Sequence, residues 1–359
     1  MKYYYHKLLI KYNNSININL LINNDKQLEK YIEDIKDDTV LGIDTEFRRI
    51  DSYFPELCLI QIASRDYLEC IDVLSINNLE PLFDKLYDGK TLWVIHAARQ
   101  DIEALYYLSN RIPNLLFDTQ VGASFLNYPL QVSYQGLTEK LQNVFLEKKY
   151  TRFDWTIRPL PNEALQYALD DVKYLLLNYK MLKKELLNQG KLSWVEEEVE
   201  FLSKKDTYEP NYRQIVKKTK GISKISHENQ KNAVQLIHWR ESIAQQKNKP
   251  RRWIMSDEKL IGYSCGKRKL SDSQNKFFEN FIKKSKLKVR PEDTLVAQKP
   301  LSESEKLLKN QLKDRINHLS IKYAIPSELI CSSKNLVKLI KEDNTLSIKS
   351  GWRSELFKL

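Results

Sequence analysis

The 359-residue sequence has few cysteines and no long apolar run, and both absences limit what the protein can be. Its four cysteines, Cys58, Cys70, Cys265 and Cys331, lie far apart and form no C-x-x-C pair. Disulfide bonds and a zinc site are therefore not expected, and a reducing cytoplasm fits best. No stretch of about 18 apolar residues occurs, which argues against a membrane-spanning helix.

Two sequence signals are also missing. The first residues do not show the pattern of a secretory signal peptide. No G-x-x-x-x-G-K-[ST] loop occurs, which argues against a helicase driven by nucleotide hydrolysis. The length suits two or three domains, each with its own core, and the 42% hydrophobic content is that of a soluble globular protein.

Charge is divided unevenly along the chain. Lys and Arg minus Asp and Glu gives −5 for residues 1–205 and +16 for residues 206–359, which together make the net +11. A basic second half favours binding of a polyanion such as nucleic acid. The alternative is that a Lys-rich composition simply covers solvated surfaces.

The segment 39–47 predicts a buried strand that carries two acids, Asp44 and Glu46. Side chains two apart in a strand point to the same face, so these carboxylates would lie side by side. Burying both without a cation is costly. The alternative is a strand end with two solvated acids, but the apolar residues before Asp44 favour burial and a metal.

Two further acids are candidates for the same site. Asp101 lies where the strand 91–96 passes into a helix, and it is either a ligand or a first-turn acid that complements the helix dipole. On the helix predicted over 162–182, Asp171 lies on the apolar face, one turn after Tyr167, whereas Asp170 lies on the polar face. Asp171 is either a ligand or hydrogen-bonded to a neighbouring helix.

The rhythm of strands and helices predicts a layered α/β fold up to about residue 202. Residues 203–229 have poor periodicity and are interpreted as a linker. Beyond them the pattern is helical. Asp44, Glu46, Asp101 and Asp171 offer only oxygen atoms, which suit Mg²⁺ or Mn²⁺ and not zinc. A pair of such cations suits displacement at phosphorus.

The sequence resembles ribonuclease D, of the DEDD exonuclease superfamily in its tyrosine variant, over most of residues 39–182. The resemblance rests on short stretches in the right order: 44–47 with Tyr53, Pro55 and 59–61, His96-Ala97 with Asp101, 117–120, Asp154-Trp155 with 158–160, and Tyr167 with Asp171-Val172 and 174–176. In the second half, 239–241, 249–258, 325–330 and 350–353 resemble two HRDC modules, which are small helical nucleic-acid-binding bundles. In the first module we expect Trp239 and Trp253 to belong to the core.

The resemblance implies a ribonuclease H-like mixed sheet flanked by helices, followed by one or two all-α HRDC bundles. The expected domains are an exonuclease domain (1–202), the linker (203–229), an HRDC domain (230–296) and a divergent second copy (300–359). The implied activity is removal of nucleotides one at a time from RNA 3′ ends, with release of 5′-monophosphates. Precursor tRNA is the implied substrate, in the cytoplasm, for a monomer without an obligate protein partner.

In this reading Asp44, Glu46, Asp101 and Asp171 hold two divalent cations. Tyr167 is the fifth catalytic residue, and because an ordinary tyrosine has a pKa of about 10, it would orient water and not act as a strong base. Two rivals stay open. One is a 3′–5′ exonuclease acting on DNA, which differs only in contacts to the 2′-hydroxyl. The other is an RNA-binding scaffold without catalysis.

Overall fold

The computed structural model describes residues 17–147, 149–295, 300–341 and 350–357. The amino-terminal residues 1–16, which carry no secretory pattern, lie outside this range. The chain divides into two compact units. The first contains the described residues of Met1–Arg48, Leu57–Thr207 and Leu301–Leu359, and the second contains Arg49–Glu56 and Tyr208–Pro300.

The first unit is built on one six-stranded mixed sheet, which confirms the predicted α/β class. The strands are β1 (Asn17–Ile22), β2 (Val40–Arg48), β3 (Glu56–Ala63), β4 (Tyr67–Asp72), β5 (Leu92–Ile95) and β6 (Leu115–Asp118). Their order in the sheet is β1-β4-β3-β2-β5-β6. The β1–β4, β2–β5 and β5–β6 pairs are parallel, whereas β3–β4 is antiparallel. Strand β1 was not predicted from the sequence, and its pairing with β4 joins residues about fifty positions apart.

In the first unit, helices lie between the strands along the chain and after the last strand. They are α1 (Asp25–Asp34), α2 (Glu80–Leu86), α3 (Arg99–Ser109), α4 (Thr119–Ser124), α5 (Tyr134–Gln142), α6 (Asn162–Lys173), α7 (Leu175–Asn188) and α8 (Leu192–Val199). The single helix predicted over 162–182 is in fact two, α6 and α7, separated at Tyr174. Ala164, Ala168 and Leu175 are buried, as their spacing predicted.

Gly42 lets helix α7 approach the centre of the sheet. A Cβ at this position would lie 3.2 Å from the Cβ of Leu175 and 3.3 Å from the Cβ of Ala63, closer than nearly all real contacts. The side chains of β2 at positions 42, 44 and 46 point to one face, so this contact identifies the face that α6 and α7 cover. Asp44 and Glu46 therefore face the helix that carries Asp171.

The last part of the chain belongs to the first unit. It forms α14 (Glu303–Tyr323), α15 (Ser327–Ile330), α16 (Ser333–Ile340) and α17 (Gly351–Phe357). Trp352 is 1% exposed and stacks on Trp194 with 5.3 Å between ring centroids. Arg353 donates to both oxygens of Glu198, at 2.6 and 2.9 Å. The carboxyl-terminal helices thus complete the core of this unit.

Over the described residues of Tyr208–Pro300 the second unit is helical, and it has its own core. Its helices are α9 (Tyr212–Lys218), α10 (His227–Gln246), α11 (Arg251–Ile254), α12 (Asp257–Ser264) and α13 (Asp272–Ser285). Helix α9 lies in the segment that we interpreted as a linker, yet its Ile215 and Val216 are buried in this core. Trp239 is buried as expected, but Trp253 is 64% exposed, so the expectation that it belongs to the core is wrong.

Short 3₁₀ turns complete the described secondary structure, at Glu200–Ser203, Lys205–Thr207, Ile222–Lys224 and Pro291–Asp293. Within the described ranges, no helix combines the length and the apolar character that crossing a membrane requires.

Candidate metal centre

Three of the acids predicted from the sequence converge at one point. Asp44 and Glu46 lie on β2, and Asp171 lies on α6, far along the chain. One carboxylate oxygen from each of the three lies within 4.8 Å of the others. All three side chains are partly buried, so the alternative of fully solvated acids at a strand end does not fit.

Asp101 reaches the same region from the other face of the sheet. It lies in the first turn of α3 and is buried. Thr45 alternates with Asp44 and Glu46 along β2, so its side chain emerges on the opposite face, and its hydroxyl donates a 2.6 Å hydrogen bond to Asp101 Oδ1. Asp101 is not one of the described residues whose carboxylate oxygens all lie within 4.8 Å of one another. Its charge nevertheless acts on Asp44 and Glu46.

The start of α3 is held in place by Asp118, at the end of the neighbouring strand β6. The carboxylate of Asp118 accepts hydrogen bonds from the backbone N–H of Ala97 at 3.0 Å and of Ala98 at 2.9 Å. Ala97 has a positive φ of 60°, which an alanine rarely adopts without such support. Asp118 thereby stabilises the turn that positions Asp101 at the site.

The electrostatics of the site favour a bound cation. Burial raises the pKa of Asp44 well above its ordinary value, and the nearby Asp101, Asp171 and Glu46 raise it further. Burial, Asp171 and Asp101 raise the pKa of Glu46 to about 9. Burial raises the pKa of Asp101 to about 7, against the hydrogen bond from Thr45. Clustered buried carboxylates repel one another, and a divalent cation relieves that repulsion.

Polar and aromatic side chains hold Asp171 and Tyr167. Gln135 Nε2 donates to Asp171 Oδ1 at 3.2 Å. Burial and the neighbouring Asp171 raise the pKa of Tyr167 above its ordinary value. The Tyr167 ring lies 5.7 Å from Tyr150 and 6.5 Å from Trp155 between centroids. A tyrosine in this setting keeps its proton at neutral pH, so it can orient a water but not act as a base.

Asp170, the neighbour that we placed on the polar face, lies apart from the cluster. Its Oδ1 accepts a hydrogen bond from Gln166 at 3.1 Å, one turn earlier on the same helix. Three residues that support the cluster were not predicted from the sequence: Thr45, Gln135 and Asp118. Thr45 could have been noticed because it lies between the two acids of β2, whereas Gln135 carries no local signal that connects it with Asp171.

The chain is similar to curated proteins over nearly its whole length. It is 34% identical to the ribonuclease D of Bartonella henselae, with 94% of this chain and 87% of the relative aligned. The chain belongs to the ribonuclease D family. The ribonuclease D of Jannaschia sp. is 32% identical, over 88% of this chain and 87% of that protein.

A family model and a solved structure provide two further comparisons, one of the sequence and one of the fold. Residues 20–187 match the family model described as a 3′-5′ exonuclease. The fold is similar to the crystal structure of Escherichia coli RNase D, an exoribonuclease involved in structured RNA processing, with a TM-score of 0.81, 24% identity and coverage of 96% and 97% of the two chains. The chain is accordingly a metal-dependent 3′–5′ exoribonuclease, a hydrolase of phosphodiester bonds.

The donor set fits the metal that this family requires. Asp44, Glu46 and Asp171 offer only carboxylate oxygens, which are the ligands that hard divalent cations prefer. Within the described residues the cluster includes no Cys or His ligand, as a zinc site would.

Proposed function

We propose that this protein removes nucleotides one at a time from the 3′ ends of RNA, releases 5′-monophosphates, and acts on tRNA precursors in the cytoplasm. The observation that supports the proposal is the convergence of Asp44, Glu46 and Asp171 from two distant parts of the chain. The four free cysteines agree with a reducing compartment. We expect the active species to be a monomer.

The proposed roles follow from position. Asp44 and Glu46, which project side by side from β2, would hold two divalent cations, either Mg²⁺ or Mn²⁺, with Asp171 and Asp101 completing the ligand set from opposite faces of the sheet. These residues would thereby supply two-metal chemistry, in which the pKa of a bound water would be lowered and the departing 3′ oxygen stabilised. Tyr167 would orient the attacking water through its hydroxyl, because it lies one turn before Asp171 and the Asp171 charge acts on it.

The helical regions would bind the RNA backbone. We propose that residues 230–296 are an HRDC domain, that residues 300–359 are a divergent second copy, and that the basic residues of 206–359 neutralise phosphates. Binding should then weaken steeply as the salt concentration rises.

The chemistry is tested with single-stranded oligonucleotides of matched sequence in RNA and DNA, each with one 3′-terminal label. We expect release of labelled mononucleotide from RNA in Mg²⁺ or Mn²⁺ and none in EDTA, with no release by the Asp44→Asn variant. Faster release from DNA than from RNA would favour a DNA exonuclease, and no release at all would favour a binding scaffold.

The physiological substrate and the assembly need separate experiments. Sequencing the RNA 3′ ends that accumulate in cells lacking the protein should reveal tRNAs with extended 3′ trailers. If other RNAs accumulate and tRNA ends stay normal, the tRNA assignment is wrong. Light scattering after size-exclusion chromatography should give a mass near 42.5 kDa, the mass of one chain.

A further inference from the structure

Trp253 exposes a large aromatic surface on the second unit. It lies on the short helix α11 and is 64% exposed, whereas Trp239 in the same unit is 5% exposed. A tryptophan buries more apolar surface than almost any other side chain when it packs in a core. An exposed tryptophan therefore gives up that stabilisation, which marks its ring as a candidate binding surface.

The backbone holds Trp253 in a fixed position. Its N–H donates to the carbonyl of Pro250 at 2.8 Å, and the next turn closes with a 3.0 Å bond from Met255 N–H to Arg251 O. Met255 is buried in the core of the unit, and Arg251 forms a 3.3 Å ion pair with the buried Glu241. Packing and an ion pair thus fix the residues on both sides of Trp253, while its own ring faces solvent.

A positive charge lies beside the exposed ring, and a second one follows from the adjacent residue. Lys249 Nζ lies 5.7 Å from the centroid of the Trp253 ring, and the adjacent Arg252 is exposed. Residues 208–300 together carry a net charge of +13. An aromatic face flanked by cations is the combination that binds single-stranded nucleic acid, because bases stack on the ring while phosphates contact the cations.

We propose that Trp253 is a stacking platform for an unpaired base of single-stranded RNA, with Lys249 and Arg252 contacting the neighbouring phosphates. The inference rests on the proposed action on RNA and adds a binding site outside the metal centre. Stacking tolerates every base, so the platform would hold the RNA without reading its sequence.

The test compares two single-stranded RNAs of equal length, one with bases and one with a run of abasic nucleotides, by titration in EDTA. We expect Trp253→Ala to weaken binding of the base-bearing RNA by about fivefold or more, and to leave binding of the abasic RNA unchanged. Trp253→Phe should retain most of the affinity because it keeps an aromatic face. The matched control is Phe277→Ala, since Phe277 is 68% exposed in the same unit, and we expect no change there.

The phosphate contacts are tested with the double variant Lys249→Gln, Arg252→Gln. It should weaken binding of both RNAs alike and reduce the slope of log affinity against log salt concentration by about 0.7 for each phosphate that the protein no longer neutralises. The proposal is overturned if Trp253→Ala leaves the affinity for the base-bearing RNA unchanged, which is the result expected if Trp253 binds a protein instead. It is also overturned if Trp253→Ala weakens binding of both RNAs equally, or if its effect on RNA affinity is the same as that of Phe277→Ala.

Failure of the proposed function would be separate from failure of this inference. Binding is measured in EDTA and does not depend on catalysis. Suppose that the protein hydrolyses no RNA in Mg²⁺ or Mn²⁺, but that Trp253→Ala still weakens binding of the base-bearing RNA and not of the abasic RNA. That result would refute the nuclease proposal alone. Normal hydrolysis, together with unchanged affinity of Trp253→Ala for the base-bearing RNA, would refute the stacking platform alone.

Discussion

The Thr45 hydroxyl donates a 2.6 Å hydrogen bond to the carboxylate of Asp101, and so joins the strand of the metal centre to the helix on the far face of the sheet. Thr45 sits between Asp44 and Glu46 but points away from them. A partner that orients a metal ligand commonly affects metal affinity or activity by about 10- to 100-fold.

We therefore expect Thr45→Val, which removes the hydroxyl but keeps the side-chain shape, to lower Mn²⁺ affinity and RNA hydrolysis by about tenfold or more. Thr45→Ser keeps the donor and should retain most of both. Isothermal titration with Mn²⁺ and a 3′-label release assay measure the two effects. Unchanged affinity in Thr45→Val would show that Asp101 does not depend on this bond.

Asp171 and Asp170 are adjacent in sequence but differ in surroundings. Asp171 lies in the acidic cluster and Asp170 accepts a hydrogen bond from Gln166 outside it. Asp171→Asn should abolish hydrolysis, because an amide is a weaker cation ligand, whereas Asp170→Asn should leave kcat largely intact. Comparable losses in the two variants would mean that the faces of this helix are assigned wrongly.

The acidic cluster should make the metal-free protein less stable as pH rises. The pKa of Glu46, about 9 in the folded protein, lies above the ordinary value of 4.5, so folding takes up a proton between these values. The stability that this proton provides is fully present below pH 4.5 and is lost as pH rises towards 9.

Urea unfolding in EDTA should therefore give a free energy of unfolding that falls with pH, by at most about 1.4 kcal/mol per pH unit from this group. Glu46→Gln should flatten that dependence, and it should abolish hydrolysis. Adding Mn²⁺ should raise the melting temperature of the unmodified protein and not of the variant. Parallel pH profiles for both proteins would contradict the clustering of these acids.

Arg158 and Asp72 form a nearly buried ion pair in the first unit. Arg158 Nη2 lies 2.6 Å from Asp72 Oδ1, and the Asp72 side chain is 2% exposed. Burial alone would raise the pKa of Asp72, but hydrogen bonds from Arg158 and Ser75 hold it below its ordinary value. Arg158→Ala should cost about 3–5 kcal/mol of unfolding free energy, because it leaves a buried charge without its partner.

A surface ion pair provides the control for Arg158. Arg111 pairs with Asp84 at 2.8 Å, but both side chains are substantially exposed, so Arg111→Ala should cost less than about 1 kcal/mol. The cost of Arg158→Ala should shrink as pH falls below 3.8, since the pair loses its stabilising effect once Asp72 is protonated. Denaturant unfolding at neutral pH and at a pH below that value measures both effects.

The carboxyl-terminal helices should be needed for the stability of the first unit. Trp352→Ala removes a buried ring that stacks on Trp194, and should cost about 3–5 kcal/mol. Ile321→Ala on the same carboxyl-terminal segment is the control, because Ile321 is 82% exposed, and it should change stability by less than about 0.5 kcal/mol. Similar melting temperatures for both variants would show that these helices contribute little.

Local pattern pointed to the acids that the fold brings together but not to the side chains that hydrogen-bond with them. Asp44 and Glu46 were found by strand alternation, and Asp171 by the apolar helix face on which it lies. Thr45 was missed although it lies between the two acids, because its partner Asp101 is 56 residues away. Gln135 was missed because its partner is 36 residues away and nothing in its own neighbourhood marks it as a support. Trp253 was assigned to the core because hydrophobic character by itself does not say which side of a short helix faces solvent.

The sequence by itself determined the α/β class of the first unit, the oxygen-only set of candidate ligands and the excess of positive charge in the second half, because these depend on periodicity and composition. Only the tertiary structure decided which acids meet, where α17 packs, and which tryptophan stays exposed. The physical reason is that such contacts join residues far apart in the chain, and their geometry depends on how whole elements pack.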